Sequence, residues 1–264
     1  MARPIRDSWP AAPWAWAWGG LALGVLLALV LFAPARWLAS GLESATSGRV
    51  VLDDASGTVW NGSARLLLAG GTGSNDVAAL PGRIDWRLRP AWNGVDAELN
   101  AACCTPQPWP RRARWRWGGG VLHVGDLRTQ WPAAVLSGLG TPWNTLQIDG
   151  DLLLATQGLS VEWIEGRLAV AGRAELTASR LSSRLSTLRP MGSYRITLNG
   201  GSSSTLQLDT LEGALQLTGS GQWVGSRLRF SGTASAAPDR EAALSNLLNI
   251  IGRRSGARSI ITIG

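Results

Sequence analysis

The sequence predicts a mainly β protein: a strongly curved antiparallel sheet with one or two short helices, preceded by a single N-terminal transmembrane helix. Three observations predict it. After the first forty or so residues, apolar and polar positions alternate with period two in segments divided by Gly, Ser, Asn or Pro, the pattern of half-buried strands. Gly150, Gly166, Gly172, Gly213, Gly219 and Gly232 fall mostly on the apolar parity, where a missing side chain lets a sheet bend or another backbone come close. Near the amino terminus, Trp14 to Phe32 is an apolar run without a charge.

That run has the length a helix needs to cross a hydrocarbon core, about 20 apolar residues. Arg3, Arg6 and Asp7 precede it and Arg36 follows. Trp9, Trp14, Trp16 and Trp18 gather at one end and Trp37 lies past the other, where indoles favour the headgroup region. Arg3, Arg6 and the terminal amine against Arg36 and Arg49 place the amino terminus inside. Residues 1–13 are then cytoplasmic, 14–33 transmembrane, and 34–264 one β-rich domain on the far side. Ala33-Pro34-Ala35 resembles a signal-peptidase site, so a cleaved signal is the competing reading; the run exceeds the usual h-region of about 7–15 residues.

Along the domain, Leu146, Ile148, Leu152 and Leu154 share one parity and Gln147, Asp149 and Asp151 the other, which predicts a strand. Ile164, Leu168, Val170, Ala174 and Leu176 repeat the pattern after Val161 and Trp163 held the opposite parity, so a bulge is expected at Trp163–Ile164. Tyr194, Ile196 and Leu198 precede an Asn199-Gly200-Gly201 turn, and Leu206 and Leu208 return from it. Leu211, Leu215, Leu217 and Trp223 run down to a second turn at Val224-Gly225-Ser226, with Leu228 and Phe230 coming back. Pro238 to Ile251 reads as a helix whose Leu244, Leu247, Leu248 and Ile251 form one face; a shorter helical turn is expected from Pro132 to Leu139, and a last strand from Ser259 to Ile263. The Pro-rich Thr105–Pro110 is the nearest candidate for a linker.

Composition narrows function. The chain has 264 residues and net charge +7; all 25 basic residues are Arg, dispersed along the chain rather than gathered into a nucleic-acid footprint. Aromatic bulk comes from 15 Trp, against 2 Phe and 1 Tyr. His123 is the single histidine, flanked by Leu122 and Val124, and no nucleophile elbow, phosphate loop or metalloprotease helix occurs, so we expect no enzyme, metal or cofactor. Cys103 and Cys104 are adjacent; any disulfide between them is vicinal, pairing between molecules is the alternative, and two small residues ending a strand are the plain one. On a strand, Arg112, Arg114 and Arg116 share one face, with Ala113, Trp115 and Trp117 on the other. That is an ordinary solvent face over a tryptophan core face, or else a site for an acidic partner or anionic lipid.

Ala55-Ser56-Gly57-Thr58-Val59-Trp60-Asn61-Gly62-Ser63-Ala64 resembles the early motif of the type II secretion system protein N family, and Ile84-Asp85-Trp86-Arg87-Leu88-Arg89-Pro90 resembles its Trp-x-Leu-x-Pro element. In the first motif, Gly57 and Gly62 bracket a short apolar strand, Thr58 to Trp60; Trp60 is expected to plug the core and Asn61-Gly62 to make the turn. The resemblance implies an accessory subunit of the secretion machinery, single-pass in the bacterial inner membrane with its C-terminal domain in the periplasm, contacting other inner-membrane secretion subunits. The cysteine pair and the Arg/Trp strand depart from the family's pattern. A second reading is a lipid-handling protein that uses an apolar groove of the curved sheet.

Overall fold

The computed structural model describes residues 14–105, 109–116, 119–164, 167–225 and 227–264. Two helices come first, α1 (Trp14–Leu31) and α2 (Ala35–Ala45). Seven strands follow: β1 (Val50–Gly57), β2 (Asn61–Ala69), β3 (Val77–Ala79), β4 (Ile84–Ala91), β5 (Gly94–Ala101), β6 (Trp109–Arg116) and β7 (Gly119–Pro132). A 3₁₀ helix, Ala133–Leu139, and the short α3 (Trp143–Leu146) lead into two 17-residue strands, β8 (Ile148–Ile164) and β9 (Arg167–Ser183). The chain ends through β10 (Gly192–Asn199), β11 (Thr205–Gly213), β12 (Leu215–Val224), β13 (Arg227–Ala236), α4 (Glu241–Ile251), β14 (Arg253–Ser255) and β15 (Arg258–Ile263).

All the strands lie in one antiparallel sheet, in the order β1-β2-β4-β5-β6-β7-β8-β9-β10-β11-β12-β13-β15-β14, with β3 paired to β2 off this path. The order is almost the sequence order because each strand turns back beside its predecessor, which short connections permit only for antiparallel neighbours. β1 and β14 end the order, so the sheet is open.

One face of the sheet carries the core, in three clusters. Leu38, Ala39 and Leu42 of α2 pack near Leu52, Ala64 and Trp86. Val135 of the 3₁₀ helix packs with Leu80, Ala101 and Cys104. Leu244, Leu247 and Leu248 of α4 pack with Leu152, Ala178, Tyr194, Leu215 and Ala234. The three helical pieces thus cover parts of the apolar face that alternation alone would leave open. Burial pushes the Tyr194 phenol pKa above its ordinary value, and its hydroxyl donates to the Leu215 carbonyl at 3.0 Å.

Several expectations change. Leu146 ends α3 instead of opening a strand, and β8 begins at Ile148. No bulge lies at Trp163–Ile164: these residues pair in register with Leu168 and Arg167, and the phase slip is the end of β8 at a hairpin. The bulges of this pair fall at Gly150 and between Gln157 and Ser160, where Gly158 and Gly172 both have positive φ. Leu211 belongs to β11, so the predicted long descent to Trp223 is split between two strands; the returning strand is as expected, with Val224 paired to Arg227, and Ser226 of the expected turn lies outside the described residues. The late helix begins at Glu241, three residues after Pro238. Of the Thr105–Pro110 stretch, residues 106–108 lie outside the described residues; Trp109 and Pro110 belong to β6, which pairs with β5, so the strands before and after share one sheet.

The expected span from 14 to 33 is helical through Leu31. Its apolar side chains face outward, with Trp16 82% exposed and Leu31 62%. Among the described residues no helix is long and apolar enough to cross a membrane. The 18 residues of α1 extend about 27 Å at about 1.5 Å per residue, slightly under a typical hydrocarbon thickness. Residues 1–13 lie outside the described residues.

Candidate functional site

The two motifs singled out in the sequence meet at the end of α1. Gly57 ends β1 with φ +87°, and its Cα pairs with Gly62 on β2; between them Thr58 to Asn61 form a tight turn closed by the Thr58 N–H donating to the Asn61 carbonyl at 2.9 Å. Thr58 to Trp60 is therefore not the expected strand, and the turn is made by these residues rather than by Asn61-Gly62. Gly62 is the second residue of β2, where a Cβ would lie 2.5 Å from the Trp86 indole, so only glycine leaves room for that ring.

Trp60 does not plug the core. It is half-buried, and its indole N–H reaches back to the Val30 carbonyl at 2.7 Å, in the last turn of α1. The last carbonyls of a helix have no intrahelical partner, so this bond satisfies one of them. The Val59 N–H donates to the Ala33 carbonyl at 2.8 Å, and Thr58 forms a β-bridge with Pro34. The core tryptophan is Trp86, 3% exposed, whose indole N–H donates to the Val59 carbonyl at 3.0 Å. The Leu88 N–H donates to the Trp60 carbonyl at 2.7 Å. Two residues on, Pro90 has no N–H to offer, and β2 has already ended its pairing with β4 at Arg87. The arrangement is a clasp: the β1–β2 turn grips the end of α1, and Trp86 and Leu88 of β4 hold the turn from behind. Sequence reasoning missed the role of Trp60 because its partner lies 30 residues away and is a backbone carbonyl, which leaves no pattern in residue types.

The register places Arg112 opposite Asp96 and Arg114 opposite Gly94, with His123 beside Arg112 on the other flank. Asp96 Oδ1 lies 3.2 Å from the Arg114 guanidinium and 3.6 Å from Arg112 Nε. The same face carries an Arg87–Glu98 pair at 3.8 Å. Arg112 keeps 71% of its side chain exposed and Arg114 28%, so the strip is partly neutralised from within and open mainly at Arg112. The side chains of Trp115 and Arg116, and all of Trp117, lie outside the described residues.

Cys103 and Cys104 are joined by a disulfide. Cys104 is buried, and its carbonyl accepts from the Thr129 hydroxyl at 2.8 Å and the Gln130 N–H at 3.0 Å, tying the end of β5 to β7. Among the described residues no three His, Cys, Asp or Glu gather as metal ligands. Residues 48–261 match the family model described as type II secretion system (T2SS), protein N. No curated protein and no solved structure matches the chain.

Proposed function

Because the chain belongs to the type II secretion system protein N family, which implies involvement in type II secretion, we propose that it is an accessory inner-membrane subunit of that machinery. In this reading α1 is a single-pass anchor, the amino terminus is cytoplasmic, and the sheet stands in the periplasm and acts by contact with other secretion subunits, without catalysis. The clasp is the observation that carries it. An apolar helix with outward-facing Leu and Trp needs an apolar solvent, and the clasp bonds the β domain to the far end of that helix. The strip headed by Arg112 is the proposed contact for an acidic segment of a partner subunit, with anionic headgroups as the competing ligand.

The test is affinity capture of the full chain from detergent-solubilised membranes of a cell that expresses the secretion machinery. Recovery of other inner-membrane secretion subunits is expected, reduced when Arg112, Arg114 and Arg116 are all changed to Ser. Capture without any secretion subunit overturns the partner reading. A mature chain that begins near Arg36 and stays in the soluble fraction overturns the anchor.

A further inference from the structure

Between the apolar faces of β2, β4 and β5 and the 3₁₀ helix lies a half-open cavity of about 260 Å³. Leu66, Leu68, Leu80, Leu99, Trp131 and Val135 line most of it. The hydroxyls that reach its wall are already engaged. Thr105 Oγ1 accepts from the Ala101 N–H at 2.6 Å and donates to the Ala101 carbonyl at 2.9 Å, and Thr129 Oγ1 donates to the Cys104 carbonyl at 2.8 Å. Asn100, the other polar side chain of the wall, accepts from the Thr105 hydroxyl through its Oδ1 at 3.2 Å; with these oxygens engaged and the rest of the wall apolar, the cavity favours an apolar entrant. An apolar cavity of about 150 Å³ accepts a benzene-sized molecule, and on that scale this one accepts about ten carbons.

Position identifies the source of those carbons. Leu99 of the cavity wall pairs directly with Trp86, and Ile84, also in the wall, belongs to the same cluster as Trp86 and the α2 leucines. Trp86 in turn holds Val59 of the clasp. The cavity thus borders the Trp86 cluster that underlies the clasp, and the clasp holds the end of the apolar helix. We propose that it takes the end of one acyl chain of a membrane phospholipid, drawn from the leaflet in which α1 ends. This rests on the membrane placement of α1 proposed above. The buried Cys104, which packs with Leu80 and Val135, keeps the cavity wall in place through its links to Thr129 and Gln130.

The experiment is photo-crosslinking of the full chain, reconstituted in vesicles of phosphatidylcholine that carries a diazirine near the end of one acyl chain, with peptides mapped by mass spectrometry. Crosslinks are expected both on α1 and on peptides that contain Leu68, Leu80 or Val135. Val135→Trp, which fills the cavity, should lower the second set at least tenfold and leave the α1 set unchanged. Leu80→Phe fills it more gently and gives the same readout should the larger change prevent folding. Crosslinks on α1 with none at the cavity overturn the proposal and leave the anchor standing. Cavity crosslinks that persist in both filled variants also overturn it, and their absence from both places removes anchor and proposal together.

Discussion

Trp86 lies over Gly62 almost out of contact with water, whereas Trp60, of the same chemistry, is half-buried and bonds the backbone of another element. The two should respond differently to substitution. Trp86→Ala removes a packed indole and is expected to cost about 3–5 kcal/mol, while Trp60→Phe removes one net hydrogen bond worth about 0.5–1.5 kcal/mol. Urea unfolding of the full chain in detergent, followed by circular dichroism, separates them. Equal losses would mean that Trp60 also supports the core. The two cysteines make a similar contrast. Either change to Ser removes the disulfide, but only Cys104→Ser puts a hydroxyl into the apolar cluster with Leu80 and Val135, an additional penalty of about 1–3 kcal/mol. The difference between the two melting midpoints measures it.

Elements are held by a few side chains that reach across registers. Asp54 sits in the β1 bulge with φ +51°, and Arg83 bonds its carboxylate at 2.6 Å and its backbone carbonyl at 2.8 Å while also touching Ser56 and Ser63. The Arg83 hydrogen bond and charge hold the Asp54 carboxyl below its ordinary 3.8. A carboxyl depressed in the folded state contributes stability above its unfolded pKa and loses it as pH falls through the folded one. Stability should therefore fall on acidification below about pH 4, and less steeply in Asp54→Asn. Asp151, lowered by Arg180 and Gln130, adds to the same slope, so Asp54→Asn flattens it without abolishing it. Denaturant midpoints taken across that window decide the matter. At the other end of the sheet, Leu244 of α4 is fully buried, and the Ser259 hydroxyl of β15 donates to the Leu248 carbonyl at 2.6 Å. Leu244→Ala is expected to cost about 2–5 kcal/mol, seen as a lowered unfolding midpoint.

At the scale of the whole molecule, an open sheet with helices on one face is gripped at one edge by the end of an outward-apolar helix. β1, the edge strand, lies against α2 and leads into the clasp turn, so α1 meets the domain through backbone and indole hydrogen bonds rather than through an unbonded linker. In spheroplasts, protease added from outside should digest the 34–264 domain and leave a fragment that contains α1. Digestion only after membrane rupture would reverse the orientation argued from the arginines.

Much of this was legible in residue order. Alternation carries which face of a strand is buried, because side chains point to opposite faces in turn, and β9, β10, the β12–β13 hairpin and the apolar face of α4 follow from it. The apolar run and the two Trp-bearing motifs were equally readable. Only the tertiary structure decided where the bulges fall, that Trp86 rather than Trp60 enters the core, that Asp96 meets the arginine strip, and that both motifs close on the end of α1. The reason is physical: periodicity is a local property of neighbouring side chains, whereas a hydrogen bond to a distant carbonyl, or a ring laid on a glycine, depends on which segments the folded sheet brings together.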